Sequence, residues 1–207
     1  MTDKNELIHQ TNLAFDFIQK LYLEVSYLIK EIEGSLMEEE EKFIICRPSG
    51  YAISARSSTG LEAINVNMWL MRKLSVSFIP EEITRSERGQ THTEIENDLR
   101  VLYVRVVLND KSIEQPALYS GVLSSFNVKP QGERWVNKFE KLMGHIEYND
   151  QKVFIDPENI DYEDANIKMK GKLIKNNLYD INDSEALYNK SILPALELFR
   201  NKAKSNF

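Results

Sequence analysis

The longest apolar stretch of the chain spans residues 99–128 and is interrupted by a polar loop at residues 109–116. Large apolar side chains in its first half alternate between the two faces of a strand: Leu102, Val104, Val106 and Leu108 on one, Leu99, Val101, Tyr103 and Val107 on the other. A strand that is apolar on both faces is normally covered on both sides. The pattern therefore predicts a central strand over residues 101–108 and a neighbouring strand over residues 118–128.

A second pattern covers residues 5–32, where apolar side chains recur at alternating spacings of four and three, as on one face of an α-helix. Thr2 or Asp3 is expected to cap the start of this helix and Gly34 to end it. At about 1.5 Å per residue the helix is roughly 40 Å long. It either packs across a sheet or serves as an oligomerisation or partner helix, because the repeat holds for about four heptads. The interface side chains would be Leu7, Ile18, Leu21, Val25, Leu28 and Ile32.

Shorter patterns predict the remaining elements. Strands are expected at residues 42–47, 51–56, 75–79, 152–156 and 166–175, and an amphipathic helix at residues 132–146. An acidic loop is expected at residues 156–164. Asn182 and Glu185 indicate the start of a terminal helix, which Pro194 should kink or restart. Residues 61–74 fit a helix and a strand equally well, so both alternatives stay open.

Together these elements indicate an α+β fold. We expect a mostly antiparallel sheet of about six strands, flanked by the long N-terminal helix, a middle helix and a C-terminal helix. Residues 1–36 would form the helical arm, for packing or assembly, and residues 37–207 a single α+β domain.

Composition narrows the class of protein. The chain has 207 residues, a net charge of -6 and one cysteine, Cys46. An acidic balance argues against a general nucleic-acid binder, and a single cysteine fits a reducing compartment. No N-terminal segment resembles a signal peptide, and no apolar run approaches the roughly 20 residues of a membrane span. We therefore expect a cytoplasmic protein that makes no membrane contact.

The chain carries no catalytic signature. Its three histidines lack the spacing of metal ligands, and Cys46 lies in an apolar strand, as a packed thiol does. No Gly-x-Ser-x-Gly elbow or Walker pattern is present. We therefore expect no cofactor and no metal ion, and a non-enzymatic protein is favoured over an enzyme.

Several residues nevertheless merit attention as candidate sites. Arg105 interrupts the central strand, so its guanidinium needs a carboxylate partner or binds an anion. Asp150 and Lys152, two residues apart on a predicted strand, have the spacing with which nucleases hold magnesium and orient a water. The polar segment at residues 80–98 is expected to be a loop, and its candidate ligand-binding residues are Arg85, Arg88 and His92.

A row of lysines marks one further candidate surface. Lys168, Lys170 and Lys172 alternate with Ile167, Met169 and Leu173, so the lysines should face solvent. They would either bind nucleic acid or another anionic ligand, or protect a strand edge from pairing with another chain.

Three functions follow from these patterns. The first is a non-enzymatic interaction or assembly subunit of a larger intracellular complex, which contacts a protein partner or itself through the N-terminal helix. The second is a metal-dependent, nuclease-like enzyme that uses Asp150 and Lys152. The third is a nucleic-acid or anionic-ligand module that uses the lysine row. The first is favoured because the helix is long and no chemical motif is present.

Overall fold

The structure of the protein is a computed structural model that describes residues 3–46, 71–83, 85–87, 90–92, 99–111, 113–136 and 138–201. In chain order, its strands are β1 (Phe43–Cys46), β2 (Lys73–Pro80), β3 (Arg85–Glu87), β4 (Gln90–His92), β5 (Val101–Val107), β6 (Ala117–Val128), β7 (Ile160–Glu163) and β8 (Ile167–Asn177). Six of them form an antiparallel sheet in the order β1-β2-β5-β6-β8-β7, which confirms the predicted α+β fold.

Helices flank this sheet on both sides. They are α1 (Lys4–Met37), α2 (Glu133–Val136), α3 (Phe139–Tyr148), α4 (Asp150–Val153), α5 (Ser184–Leu187) and α6 (Leu193–Arg200). A π-helical turn, Tyr188–Ile192, joins α5 to α6. Pro194 is the second residue of α6 and directly follows this π-helical turn, so the regular α-helix is interrupted where the sequence predicted a kink or a restart.

Every residue of β5 is buried, because helices cover the sheet on both sides. The two predicted faces of the strand belong to two separate cores. On one side the core is completed by α1, α5 and α6, and on the other by α2, α3 and α4. The side chains that α1 contributes to the first core are Val25, Ile29, Ile32 and Leu36.

The predicted helix at residues 132–146 is divided in two. Lys138 adopts an extended backbone, with φ -117° and ψ 143°, so α2 ends before it and α3 begins after it. Val136 and Phe139 are both buried on either side of this break. The apolar periodicity predicted the packing face correctly but did not reveal the interruption.

The predicted strand at residues 152–156 is wrong. The backbone N–H groups of Lys152 and Val153 donate to the carbonyl of Asn149, directly after α3, so this stretch turns into the short helix α4. The predicted acidic loop is also wrong in part, because it contains β7. Ile160 and Tyr162 are buried in that strand, while its acidic residues point away from the core.

Helix ends followed the expected capping residues only in part. The Asp3 side chain accepts a hydrogen bond from the N–H of Asn5, as expected for an N-cap. Gly34 does not end α1, which continues to Met37. At the terminal helix the cap is Asp183, which accepts from the N–H of Ala186, rather than Asn182.

The remaining predictions fall on the least described part of the chain. The strand predicted at residues 51–56 and the ambiguous residues 61–70 lie outside the described residues. Residues 80–98, predicted as a loop, include the two-stranded hairpin of β3 and β4.

Gly121 provides a test of the close packing between β6 and β8. A Cβ at this position would overlap the carbonyl oxygen of Lys172 and lie 2.8 Å from the Cα of Leu173, so the sheet would have to open. We expect Gly121→Ala to lower the free energy of unfolding by about 1–3 kcal/mol, measured by urea denaturation. Gly34→Ala is the control, because open space surrounds that position in α1. It should stabilise the protein by up to about 1 kcal/mol, and equal effects at both glycines would contradict this account.

Candidate functional site

The first half of α1 projects from the domain. Residues 4–20, called here the projecting segment, are all exposed except Ile18, which is half-buried. Burial in the core begins at Val25. Helix α1 is therefore longer than its packing against the sheet requires, and its first half is held as a helix without support from the described part of the domain.

The projecting segment is amphipathic. At 100° per residue, its large apolar side chains cover about half of the helix circumference. Together with the smaller Thr11 and Ala14, and with Leu21 just beyond the segment, they form an apolar arc that consists of Leu7, Ile8, Thr11, Ala14, Phe15, Phe17, Ile18 and Leu21. Lys4 and Gln10 are the polar residues that lie in the same half of the helix. Phe15 is 62% exposed and Phe17 65%, values far above those of aromatic side chains in the core.

Thr11 does not interrupt the arc. Its hydroxyl donates to the carbonyl of Leu7, 2.8 Å away, so its hydrogen-bonding need is met within the helix. The opposite side of the segment carries polar side chains: Asn5, His9, Asn12, Asp16, Gln19 and Lys20. Leu13, which is also exposed, lies on that polar side.

A groove of about 530 Å³ lies where the arc meets the domain. Leu21 and Leu28 of α1 form one wall, and Leu178 and Ile181 belong to the other. Glu24, Glu31 and Asp183 also line the groove. Its lining is therefore apolar, with several carboxylates among the lining groups.

The six interface residues predicted from the sequence are divided between two environments. Val25 and Ile32 are buried in the core of the same chain, and Leu28 packs partly against it. Leu7 is exposed, and Ile18 and Leu21 are half-buried. The interface residues chosen from the alternating spacing of four and three did not include the exposed Phe15 and Phe17.

A cluster of charged side chains lies on the other face of the sheet. Arg105 is only 4% exposed, and its guanidinium lies 3.2 Å from a Glu147 carboxylate oxygen and 2.7 Å from one of Asp150. The Tyr103 hydroxyl donates to Glu147, and the Arg105 guanidinium stacks 4.4 Å from the Phe154 ring centre. The buried arginine therefore has the carboxylate partners that its position in a central strand demands.

Charge and burial act against each other on the Arg105 guanidinium. Burial alone would lower the pKa of Arg105, but the nearby Tyr103 hydroxyl and the Glu147 and Asp150 carboxylates raise it above its usual value. Burial raises the pKa of the Tyr103 hydroxyl, and Glu147 raises it further. Arg105 is therefore permanently charged and Tyr103 permanently protonated in the physiological range.

Asp150 joins this cluster to a second cation. One oxygen of its carboxylate lies between Arg105 and Lys73, which is 3.0 Å away and also contacts Asp110. Burial would raise the pKa of Asp150, but the hydrogen bond from Lys73 and the charge of Arg105 lower it overall. The carboxylate thus stays ionised and engaged with two cations.

The geometry does not favour the nuclease hypothesis. Asp150 and Lys152 lie on α4, not on a strand, and Asp150 is already engaged by Arg105 and Lys73. Asp150, Arg105 and Lys73 line an open cleft of about 660 Å³, together with Lys111 and Lys175, whereas Lys152 is not one of its lining residues. Within the described ranges, no group of three or more His, Cys, Asp or Glu side chains is arranged to hold a metal ion.

The lysine row faces acidic residues on the neighbouring strand. Lys168 pairs with Glu163, 3.1 Å away, and Lys170 lies opposite Asp161 in the register of β7 and β8. The partner carboxylate raises the pKa of Lys168. Strand β8 lies between β6 and β7, so the idea that Lys168 and Lys170 protect a sheet edge is wrong. Lys172, opposite Val122 of β6, lies beyond the end of β7.

The loop candidates are only partly described. The backbones of Arg85 and His92 pair with each other across the β3–β4 hairpin. Arg88 lies outside the described residues. The ligand-binding role predicted for these three residues stays a prediction.

A polar group that the sequence did not single out lies at the turn between β7 and β8. The Asp164 carboxylate accepts hydrogen bonds from the N–H groups of Asn166 and Ile167, at 2.7 and 2.8 Å. His145 and Tyr162 contact its other oxygen. Burial would raise the pKa of Asp164, but these contacts lower it to about 2.

Searches against protein-family models, curated protein sequences and solved structures find no match to this chain. None of the helices in the described part of the chain combines the length and the apolar character needed to cross a bilayer.

Removing Arg105 tests the charge cluster. We expect Arg105→Met to lower the free energy of unfolding by about 3–5 kcal/mol, because Glu147 is left without its cation. Arg105→Met with Glu147→Gln should recover part of this loss, since the uncompensated charge is then absent. Lys111→Met at the exposed rim of the cleft is the control, with an expected effect within about 0.5 kcal/mol. Urea unfolding measures all three, and a double variant no more stable than Arg105→Met would contradict the interpretation.

Asp164 predicts a pH dependence of stability. Because its pKa is lowered from 3.8 to about 2, its contribution is present above pH 3.8 and is lost as the pH falls through 2. We expect Asp164→Asn to lower the free energy of unfolding at pH 7 by about 1 kcal/mol after allowance for solvent screening. The difference from the unmodified protein should shrink below pH 3.8. A difference that stays constant down to pH 2 would be inconsistent with this prediction, and Asp180→Asn, an exposed residue, is the control.

Proposed function

We propose that this protein is a non-enzymatic assembly subunit of a larger intracellular complex, and that it binds another protein chain through the projecting segment of α1. The observation that carries the proposal is the apolar arc. Soluble monomers seldom expose a contiguous apolar patch of this kind unless it binds something. A helix with an apolar face and a polar back is also a common form in which one protein presents itself to another.

The other candidate surfaces are less suited to binding a ligand or partner than the arc is. Arg105 and Asp150 are engaged with each other and with their neighbours, which is the arrangement of a structural ion-pair cluster. Lys168 and Lys170 face Glu163 and Asp161, which reduces their attraction for phosphate groups. By contrast, no element in the described part of the chain covers the arc.

An arc substitution tests the proposed function. Ile18 lies at the centre of the arc, so Ile18→Glu places a charge in the contact surface, where it would have to be buried. His9→Glu is the matched control, because it introduces the same side chain on the polar side of the same helix. Both variants should retain the far-UV circular dichroism and the urea midpoint of the unmodified protein.

The measurement is the mass of the complex that contains the tagged full chain, by light scattering after native purification. We expect the unmodified protein and His9→Glu to elute above the 24.1 kDa of one chain, and Ile18→Glu to elute at that mass. Equal masses for all three proteins would show that the arc is not the contact surface.

A further inference from the structure

We infer that the chain bound by the apolar arc is a second copy of this protein, with the two projecting segments antiparallel and Leu7 of one against Ile18 of the other. This inference rests on the proposed function and names its partner. Four features of the molecule carry it: the length of the free helix, the order of its side chains, its charges and its area.

The exposed part of α1 can pair along its whole length with the same part of a second copy. Residues 4–21 precede the part of α1 that packs into the domain, a length of about 26 Å. In an antiparallel pair that places Leu7 level with Ile18, residue 4 of each copy lies level with residue 21 of the other. The two helices therefore overlap along the whole free length, and each domain begins where the other helix starts.

The side chains along the arc form matching layers in this arrangement. Leu7 packs against Ile18, and Thr11 against Ala14, in a central pair of small residues that lets the helices approach closely. By the two-fold symmetry each layer occurs twice. Beside this seam, Ile8 lies against Phe15, so the aromatic rings that are exposed in one chain become covered in the pair.

Charge favours the antiparallel over the parallel orientation. A parallel pair in register would place Lys4 of each copy against Lys4 of the other within the seam. In the antiparallel pair the two Lys4 side chains lie at opposite ends of the paired segments, each level with Leu21 of the other copy, so this repulsion is avoided.

The area of the arc suits a reversible dimer. Burial of one large apolar side chain corresponds to roughly 60–120 Å². The arc therefore offers roughly 400–800 Å² per copy, and the pair would bury about twice that. This reaches the lower part of the range of specific interfaces, so we expect a dissociation constant on the order of micromolar.

Sedimentation equilibrium of the purified full chain, over the micromolar range, tests self-association directly. We expect a monomer–dimer equilibrium that Ile18→Glu abolishes and His9→Glu preserves. A chain that stays monomeric at every concentration overturns the inference. If the purified chain is monomeric but Ile18→Glu lowers the mass of the natively purified complex, the proposed function stands with a different partner. If Ile18→Glu leaves that mass unchanged, both the self-association and the proposed function are overturned.

Cysteine cross-linking gives an independent measure of the register and the orientation. In a Cys46→Ser background, Leu7→Cys and Ile18→Cys proteins are oxidised separately and as an equimolar mixture. We expect a covalent dimer only in the mixture, because the antiparallel pair places position 7 against position 18 and not against itself. Efficient cross-linking of Leu7→Cys alone indicates a parallel pair and overturns the inference.

Discussion

The structure depends on the burial of β5 on both faces. A strand of this composition has no side that can face water, so the chain must supply a layer of helices above it and another below it. The middle helices α2 to α4 form one layer, and the terminal helices α1, α5 and α6 form the other. The first and last parts of the sequence therefore meet on the same face of the sheet. The Arg200–Glu39 ion pair, at 2.7 Å, links them at its margin.

The same burial explains the charge cluster. Arg105 is inside β5 and almost fully buried, so the fold has to bring carboxylates to it. Glu147 comes from the end of α3 and Asp150 from the start of α4. This requirement links the position of the middle helices to one side chain of the central strand. It also explains why Asp150, which the sequence suggested as a nuclease residue, is instead a structural partner of Arg105.

Helix α1 has two parts with different tasks. Its second half completes the core, whereas its first half extends beyond the sheet and keeps an apolar arc in contact with solvent. One continuous helix can do both because its apolar period does not change at the domain boundary. The face that packs against the sheet from Val25 onward therefore continues as the exposed apolar arc.

The sequence by itself determined the elements whose side-chain period is regular over many residues. It predicted the α+β class, the two faces of β5, the alternation of β8 and the long helix α1, because burial acts on each of these patterns locally. Only the tertiary structure decided the break at Lys138, the helical conformation of α4 and the strand β7. These are short segments, in which neighbouring elements outweigh local preference. The tertiary structure also decided which apolar residues of α1 are buried in the core and which are exposed, since the same apolar period runs through both halves of the helix. The partners of Arg105 come from residues more than 40 positions away, and no local pattern encodes such a contact.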